Sequence, residues 1–144
     1  MRTLTKGLVV AAGLAALTLP AAQASATAAA GPVNFSCGPR INSGITHSDT
    51  QVGYRENGRA FVNLFKSKDR PYHGRNIYFA AARLGRGDKI SLDWSDDGGR
   101  TYHACHASGS RAMTYAVDQT GNRAFRGCVY SARRWKCTDW KISN

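Results

Sequence analysis

The chain has 144 residues and a formal net charge of +11 at pH 7, from 20 basic and 9 acidic side chains. This length suits one domain with a modest core and is too short for a propeller. The charge favours encounters with polyanions such as nucleic acid, teichoic acid or acidic polysaccharide. Because the arginines are spread along the sequence, solubility of a secreted protein explains the charge equally well.

The first 24 residues have the pattern of a secretory signal peptide. Arg2 and Lys6 precede an apolar stretch over residues 8–19, which is too short for a stable membrane span. Small residues ending at Ala24 suit signal peptidase, and those running on to Ala30 offer rival cleavage sites. No twin arginine is present, so we expect export by the general secretory route.

Three segments are therefore expected along the chain. They are a signal peptide over residues 1–24, a flexible lead-in over residues 25–32 and a single all-β domain over residues 33–144. The mature protein is expected to be extracellular and monomeric, with no membrane span.

All four cysteines follow the signal peptide, and an even number in a small exported chain predicts two disulfides. The sequence allows three connectivities. We favour Cys128–Cys137, because the residues between them can form two facing strands with a turn over residues 131–133. Cys37–Cys105 then follows by elimination.

A metal site is the competing interpretation of the cysteines. His103, Cys105 and His106 lie close together in the sequence. In a strand, however, the two histidines point to opposite faces, and no CxxC pair occurs. We expect neither a metal nor a cofactor.

Short alternating runs with glycine-containing breaks recur along the chain, and no long segment has helical spacing. About eight strands at roughly ten-residue spacing predict an antiparallel β-sandwich or barrel. The Asn57-Gly58 pair predicts a tight hairpin, and residues 66–74 an exposed loop. Three consecutive alanines within residues 75–84 also allow a short helix as an alternative to a strand there. The predicted strands cover residues 33–37, 41–54, 60–65, 75–84, 89–95, 101–105, 111–117, 124–130 and 134–140.

The clearest of these hairpins lies in the middle of the chain. Ile90, Leu92 and Trp94 alternate with polar residues, the period of a strand with one buried face. Residues 96–99 are Asp-Asp-Gly-Gly, a strong turn because Asp bonds the following backbone and Gly takes positive φ.

This hairpin carries the pattern Ser95-x-Asp97-x-Gly99-x-Thr101-Tyr102. The pattern is similar to the Asp-box of sialidases and other secreted β-proteins, with Tyr in the place of Trp. The resemblance implies a folding device in which the aspartate braces the turn and the aromatic ring packs beneath it. In those families the motif lies away from catalytic centres.

Most of the mature chain also resembles small secreted actinobacterial proteins without an assigned function. That resemblance implies export by a filamentous actinomycete and no known catalytic residues. The residues that carry it are 93–101, 115–118, 122–126 and Cys137-Thr138-x-Trp140.

The candidate binding patch lies near the C-terminus. If Trp140 is exposed beside basic residues, it could stack on a sugar or a base while a cation holds an anionic group. The alternative is that Trp135 and Trp140 are both core residues. In a regular strand Trp140 would share a face with Lys136 and not with Trp135. The patch comprises Arg133, Arg134, Lys136, Trp140 and Lys141.

The sequence therefore favours a secreted, non-catalytic binding domain for an anionic extracellular polymer or cell-wall component. The first alternative is an inhibitor of a secreted hydrolase that uses the loop over residues 66–72. The second is a basic nuclease, for which Glu56, His73 or His103, and Arg75 supply the required residue types. Nucleic acid would otherwise bind without sequence preference.

Overall fold

The computed structural model describes residues 32–33, 37–41, 44–68 and 76–142. The predicted signal peptide and nearly all of the lead-in lie outside these residues. Within them the chain forms strands and no helix, which confirms the all-β prediction. No described segment is a helix long and apolar enough to cross a membrane. The strands are β1 (Pro32–Val33), β2 (Asp49–Asn57), β3 (Ala60–Ser67), β4 (Ile77–Arg83), β5 (Lys89–Ser95), β6 (Tyr102–Ser108), β7 (Arg111–Met113), β8 (Val117–Asp118), β9 (Ala124–Ser131), β10 (Arg134–Cys137) and β11 (Lys141–Ile142).

The strands form two sheets that pack as a sandwich. The large sheet has the order β1-β6-β5-β9-β10, with β11 also paired to β9. The small sheet has the order β2-β3-β4-β7, with β8 also paired to β4. All recorded pairs are antiparallel except β1 with β6, which is parallel.

The main core lies between the two sheets. Alternate residues of β5 point into it, as their spacing predicts, and Tyr78 of the small sheet stacks on Phe125 of the large sheet at 4.1 Å between ring centroids. Burying an aliphatic or aromatic side chain contributes about 1.5–3 kcal/mol. The largest buried members include Leu64, Ile90, Leu92, Phe125 and Val129.

A second apolar cluster lies on the outer face of the small sheet, where Ile41 packs with Phe65 and Phe79. The backbone before β2 is held by Ile41 N donating to Thr114 O at 3.3 Å. The prediction of a strand from residue 41 to residue 54 is therefore wrong in its first half, because β2 begins at Asp49.

Other strand boundaries also differ from the predictions, and β10, for example, ends at Cys137 instead of residue 140. The alanines at positions 80–82 belong to strand β4, so the helical alternative is excluded there. The predicted strand over residues 111–117 divides into β7 and β8, because Thr114 between them bonds to β4. The Thr114 N–H donates to Ala80 O, and the Thr114 hydroxyl accepts from Ala80 N.

The disulfides are Cys37–Cys105 and Cys128–Cys137, the pairs that the sequence favoured. Cys128 and Cys137 are direct partners in the β9–β10 ladder. The Asn57–Gly58 hairpin is also confirmed: Asn57 pairs with Ala60, and Gly58 has a φ of +66°, as the first central residue of a tight two-residue turn requires.

Candidate functional site

The turn between β5 and β6 is closed by its own side chains. Asp97 Oδ1 accepts from Thr101 N at 2.9 Å and from Ser95 Oγ at 2.7 Å, while Thr101 Oγ1 donates to Asp97 Oδ2 at 2.7 Å. Gly99 N donates to Ser95 Oγ at 2.7 Å. These bonds, from Thr101 above all, hold the pKa of Asp97 well below its usual range. The polar groups of the motif are thus engaged in shaping the turn.

Trp140, which lies near the C-terminus, packs against the same turn. Gly99 has a φ of +95°, and a Cβ at this position would lie 2.6 Å from Trp140 Nε1. Glycine is therefore required both by backbone conformation and by the close approach of the indole. Tyr102, the aromatic residue of the motif itself, lies edge-on to Trp140 at 6.2 Å between ring centroids.

Next to this turn, the outer face of the large sheet contains a cavity of about 280 Å³, here named the large-sheet cleft. Its residues come from alternate positions of β5, β6, β9 and β10, which share one face of the sheet. They are Ser91, Asp93, Tyr102, Ala104, His106, Arg126, Cys128, Trp135 and Cys137.

The floor of the cleft contains a buried carboxylate, Asp93, which is 3% exposed. Its Oδ2 accepts from Arg126 Nε at 2.9 Å and its Oδ1 from Ser91 Oγ at 2.5 Å. The guanidinium of Arg126 lies 4.6 Å from the ring centroid of Tyr102 and 4.5 Å from that of Trp140. These contacts fix Arg126 and offset the cost of burying the Asp93 charge.

The cleft floor is not a ready metal site. A carboxylate oxygen of Asp93 and the sulfurs of Cys128 and Cys137 lie within 4.8 Å of one another. The two sulfurs are bonded to each other, so neither is a thiolate ligand.

One wall of the cleft is formed by the exposed indole of Trp135, which is 41% exposed. Its ring centroid lies 5.4 Å from that of Tyr130 and 5.6 Å from that of His106. Large aromatic side chains bind through their faces when these remain accessible. Trp135 is thus the aromatic platform of the cleft.

The exposed tryptophan of the cleft is Trp135, whereas the sequence placed Trp140 in the binding patch. Trp140 is half-buried, and it lies on the same sheet face as Trp135, whereas regular alternation placed them on opposite faces. The cause is a local irregularity. The chain advances four residues from Cys137 to Lys141, while its partner strand β9 advances three, so one extra residue reverses the alternation.

The other members of the predicted patch are all exposed. Arg133 lies in the β9–β10 turn. Arg134 and Lys136 are the neighbours of Trp135 along β10, so alternation directs their side chains to the face opposite the cleft. Lys141 lies on β11. Arg133, Arg134 and Lys136, here named the basic hairpin, therefore lie at the edge of the large sheet, while Trp140 contacts Arg126 of the cleft floor.

The three residues of the competing metal interpretation do not form a common site. Cys105 is bonded to Cys37. His103 is buried and stacks on Trp94 at 3.7 Å, and its burial lowers its pKa. His106 is exposed and lies in the cleft.

The residue types for a nuclease are not assembled in the described part of the chain. Glu56 is exposed on β2 of the small sheet and accepts a hydrogen bond from Tyr54. His103 lies on β6 of the large sheet. His73 and Arg75, together with residues 69–72 of the loop proposed for inhibition, lie outside the described residues.

The sequence did not indicate the roles of Asp93, Arg126 and His106. The alternation in β5 places Asp93 on the face opposite Trp94, so a polar outer face could have been inferred. Its partner could not, because Arg126 is 33 residues away and the pairing of β5 with β9 has no local signal.

Comparison with known proteins adds no relative to this picture. No family model matches the chain, and neither a curated protein nor a solved structure matches it significantly.

Proposed function

We propose that the protein is a secreted, non-catalytic domain that binds an anionic extracellular polysaccharide in the large-sheet cleft. The observation that carries this proposal is the exposed indole of Trp135, which stands beside a cavity of about 280 Å³. The apolar face of a sugar ring can pack against such an indole and remove apolar surface from water.

Charge around the platform supports an anionic ligand. Arg133, Arg134 and Lys136 are exposed in the same edge hairpin as Trp135, with Arg134 and Lys136 on the face of β10 opposite the cleft. No carboxylate among the described residues forms an ion pair with them. Arg126 differs, since Asp93 already neutralises it. The basic hairpin would therefore attract the polymer, while the Asp93–Arg126 pair shapes the surface against which it rests.

The number of carboxyl groups in the cleft supports binding without hydrolysis. Glycoside hydrolysis commonly needs two carboxyl groups across the scissile bond. Asp93 is the single carboxylate among the described residues of the cleft, and it is buried and bonded to Ser91 and Arg126. Secretion is supported by the signal-peptide pattern and by the two disulfides, which persist in oxidising compartments.

Calorimetric titration with a soluble polyuronate and with a neutral glucan, in about 0.15 M salt, tests the proposal. Trp135→Ala should weaken polyuronate binding about tenfold or more, a loss of about 1.4 kcal/mol. Tyr54→Ala is the matched control, because Tyr54 is 48% exposed on the other sheet. Equal binding by Trp135→Ala and the wild type, or equal affinity for the neutral glucan, would overturn the proposal.

A further inference from the structure

The opposite side of the sandwich holds a larger cavity, of about 440 Å³, on the outer face of the small sheet. It is named here the small-sheet cavity. Arg83 of β4 and Arg111 of β7 line it, and they are direct partners across the antiparallel ladder. Direct partners have Cβ atoms about 4.5–5.5 Å apart, so two guanidinium groups reach the same edge of the cavity.

These two cations are not neutralised by the described part of the protein. Both side chains are exposed, and no described carboxylate forms an ion pair or a hydrogen bond with either. The carboxylate of Glu56 lies on β2 of the same sheet and accepts a hydrogen bond from Tyr54. Like charges directly opposite each other destabilise a sheet. A bound anion would remove this repulsion.

The rest of the cavity suits an apolar, flat group. Phe61 and Met113 contribute an aromatic ring and a thioether, and Ile45 adds an exposed aliphatic wall. Asn63 also lines the cavity, and its amide makes no hydrogen bond to the described residues. An amide offers both a donor and an acceptor, which is the pattern that reads the edge of a heterocyclic ring.

We propose that the small-sheet cavity is a second binding site, separate from the large-sheet cleft, and that it takes a nucleotide. Arg83 and Arg111 hold the phosphate, because guanidinium groups bond several phosphate oxygens at once. The base enters the apolar part against Phe61, with Asn63 at its edge. A carboxylate ligand would use the two arginines less fully, since it presents fewer oxygens and less charge.

The test is calorimetric titration of the oxidised mature protein with four probes: adenosine 5′-monophosphate, uridine 5′-monophosphate, adenosine and inorganic phosphate. At least one monophosphate should bind about tenfold more tightly than both adenosine and phosphate alone, because it engages both halves of the cavity. Arg83→Gln and Arg111→Gln should each reduce that affinity about tenfold. Arg86→Gln, in the exposed turn that follows β4, is the control and should leave it unchanged.

Three results would overturn the proposal: neither monophosphate binds better than its parts, the two arginine variants bind as the wild type does, or a uronic acid binds more tightly than both monophosphates. Thermal melting of each variant checks that folding is retained. To distinguish the two sites, each variant is also titrated with the ligand of the other site. Trp135→Ala should keep nucleotide binding, and Arg83→Gln should keep polyuronate binding. Failure at one site therefore leaves the other testable.

Discussion

Arg126 Nε donates to Asp93 Oδ2 at 2.9 Å, and the carboxylate that accepts this bond has 5% of its side chain exposed. The pair joins neighbouring strands of the large sheet on its outer face, since Asp93 and Arg126 are direct partners in the β5–β9 ladder. Tyr102 and Trp140 lie against the guanidinium, so the same contact organises the turn, the C-terminal segment and the cleft floor.

Removing one member of this pair should therefore be costly. Arg126→Gln leaves a buried carboxylate without its cation and should destabilise the protein by roughly 3 kcal/mol. Asp93→Asn with Arg126→Gln should cost clearly less than the sum of the single changes, because the uncompensated charge is gone. Urea unfolding of the two single variants and the double variant measures this, and additive losses would show that the two side chains do not stabilise each other.

The β9–β10 turn is strained. Ala132 and Arg133 have φ values of 49° and 61°, a region that favours glycine and asparagine. Asn57 Nδ2 donates to Ser131 O at 3.0 Å and to Arg134 O at 2.8 Å, which holds the turn in place.

Relieving the strain should raise stability. Ala132→Asn should stabilise the protein by about 0.5–1 kcal/mol, because asparagine adopts this conformation more readily than alanine. The denaturation midpoint in urea measures the change. Arg59→Asn serves as the control, since Arg59 lies in the β2–β3 turn and is not among the positive-φ residues. No gain for Ala132→Asn over that control would contradict this explanation of the turn.

The turn between β5 and β6 should be sensitive to acid. The pKa of Asp97 is lower in the folded protein than in the unfolded chain. Its hydrogen bonds to Thr101 and Ser95 therefore add stability that is present above the unfolded pKa of about 4. That stability declines as the pH falls below this value towards the folded pKa.

Asp97→Asn should remove this dependence on pH. The variant should melt at a lower temperature than the wild type at pH 7, and the difference should shrink as the pH is lowered below about 4. Melting curves at several pH values measure it, with Asp139→Asn as an exposed control. A difference that stays constant down to acid pH would contradict the assigned role of the carboxylate.

The Arg83–Arg111 pair should lower stability in the absence of a ligand. Arg83→Gln should raise the free energy of unfolding by a few tenths to about 1 kcal/mol at low salt, because it removes a like-charge contact. Added salt screens such exposed charges, so the gain should decline as the ionic strength rises. Arg86→Gln should show no comparable gain, and a loss of stability for Arg83→Gln would contradict the reported geometry.

Local features of the sequence were enough to predict the hairpins and the Cys128–Cys137 disulfide, and Cys37–Cys105 followed by elimination. The alternation of Ile90, Leu92 and Trp94 and the turn at residues 96–99 depend on neighbouring residues, and the structure contains both. The pairing of Cys128 with Cys137 followed from the same local logic, because the two cysteines are nine positions apart in one hairpin.

The cleft could not be predicted in this way. It depends on the register between β5 and β9, which places Arg126 beside Asp93 although no pattern links the two positions. It also depends on the extra residue between β10 and β11, which moves Trp140 to the cleft face. A single inserted residue reverses every later side chain in a strand, and sequence periodicity does not show where it occurs.

The most direct test of the central claim is a nuclear magnetic resonance titration of the isotope-labelled mature protein with a soluble polyuronate. Binding in the large-sheet cleft predicts that the indole N–H of Trp135 shifts, together with backbone amides of β6, β9 and β10 that surround it. Shifts confined to the small sheet, or none at ligand concentrations of about 1 mM that reveal weak complexes, would contradict the claim.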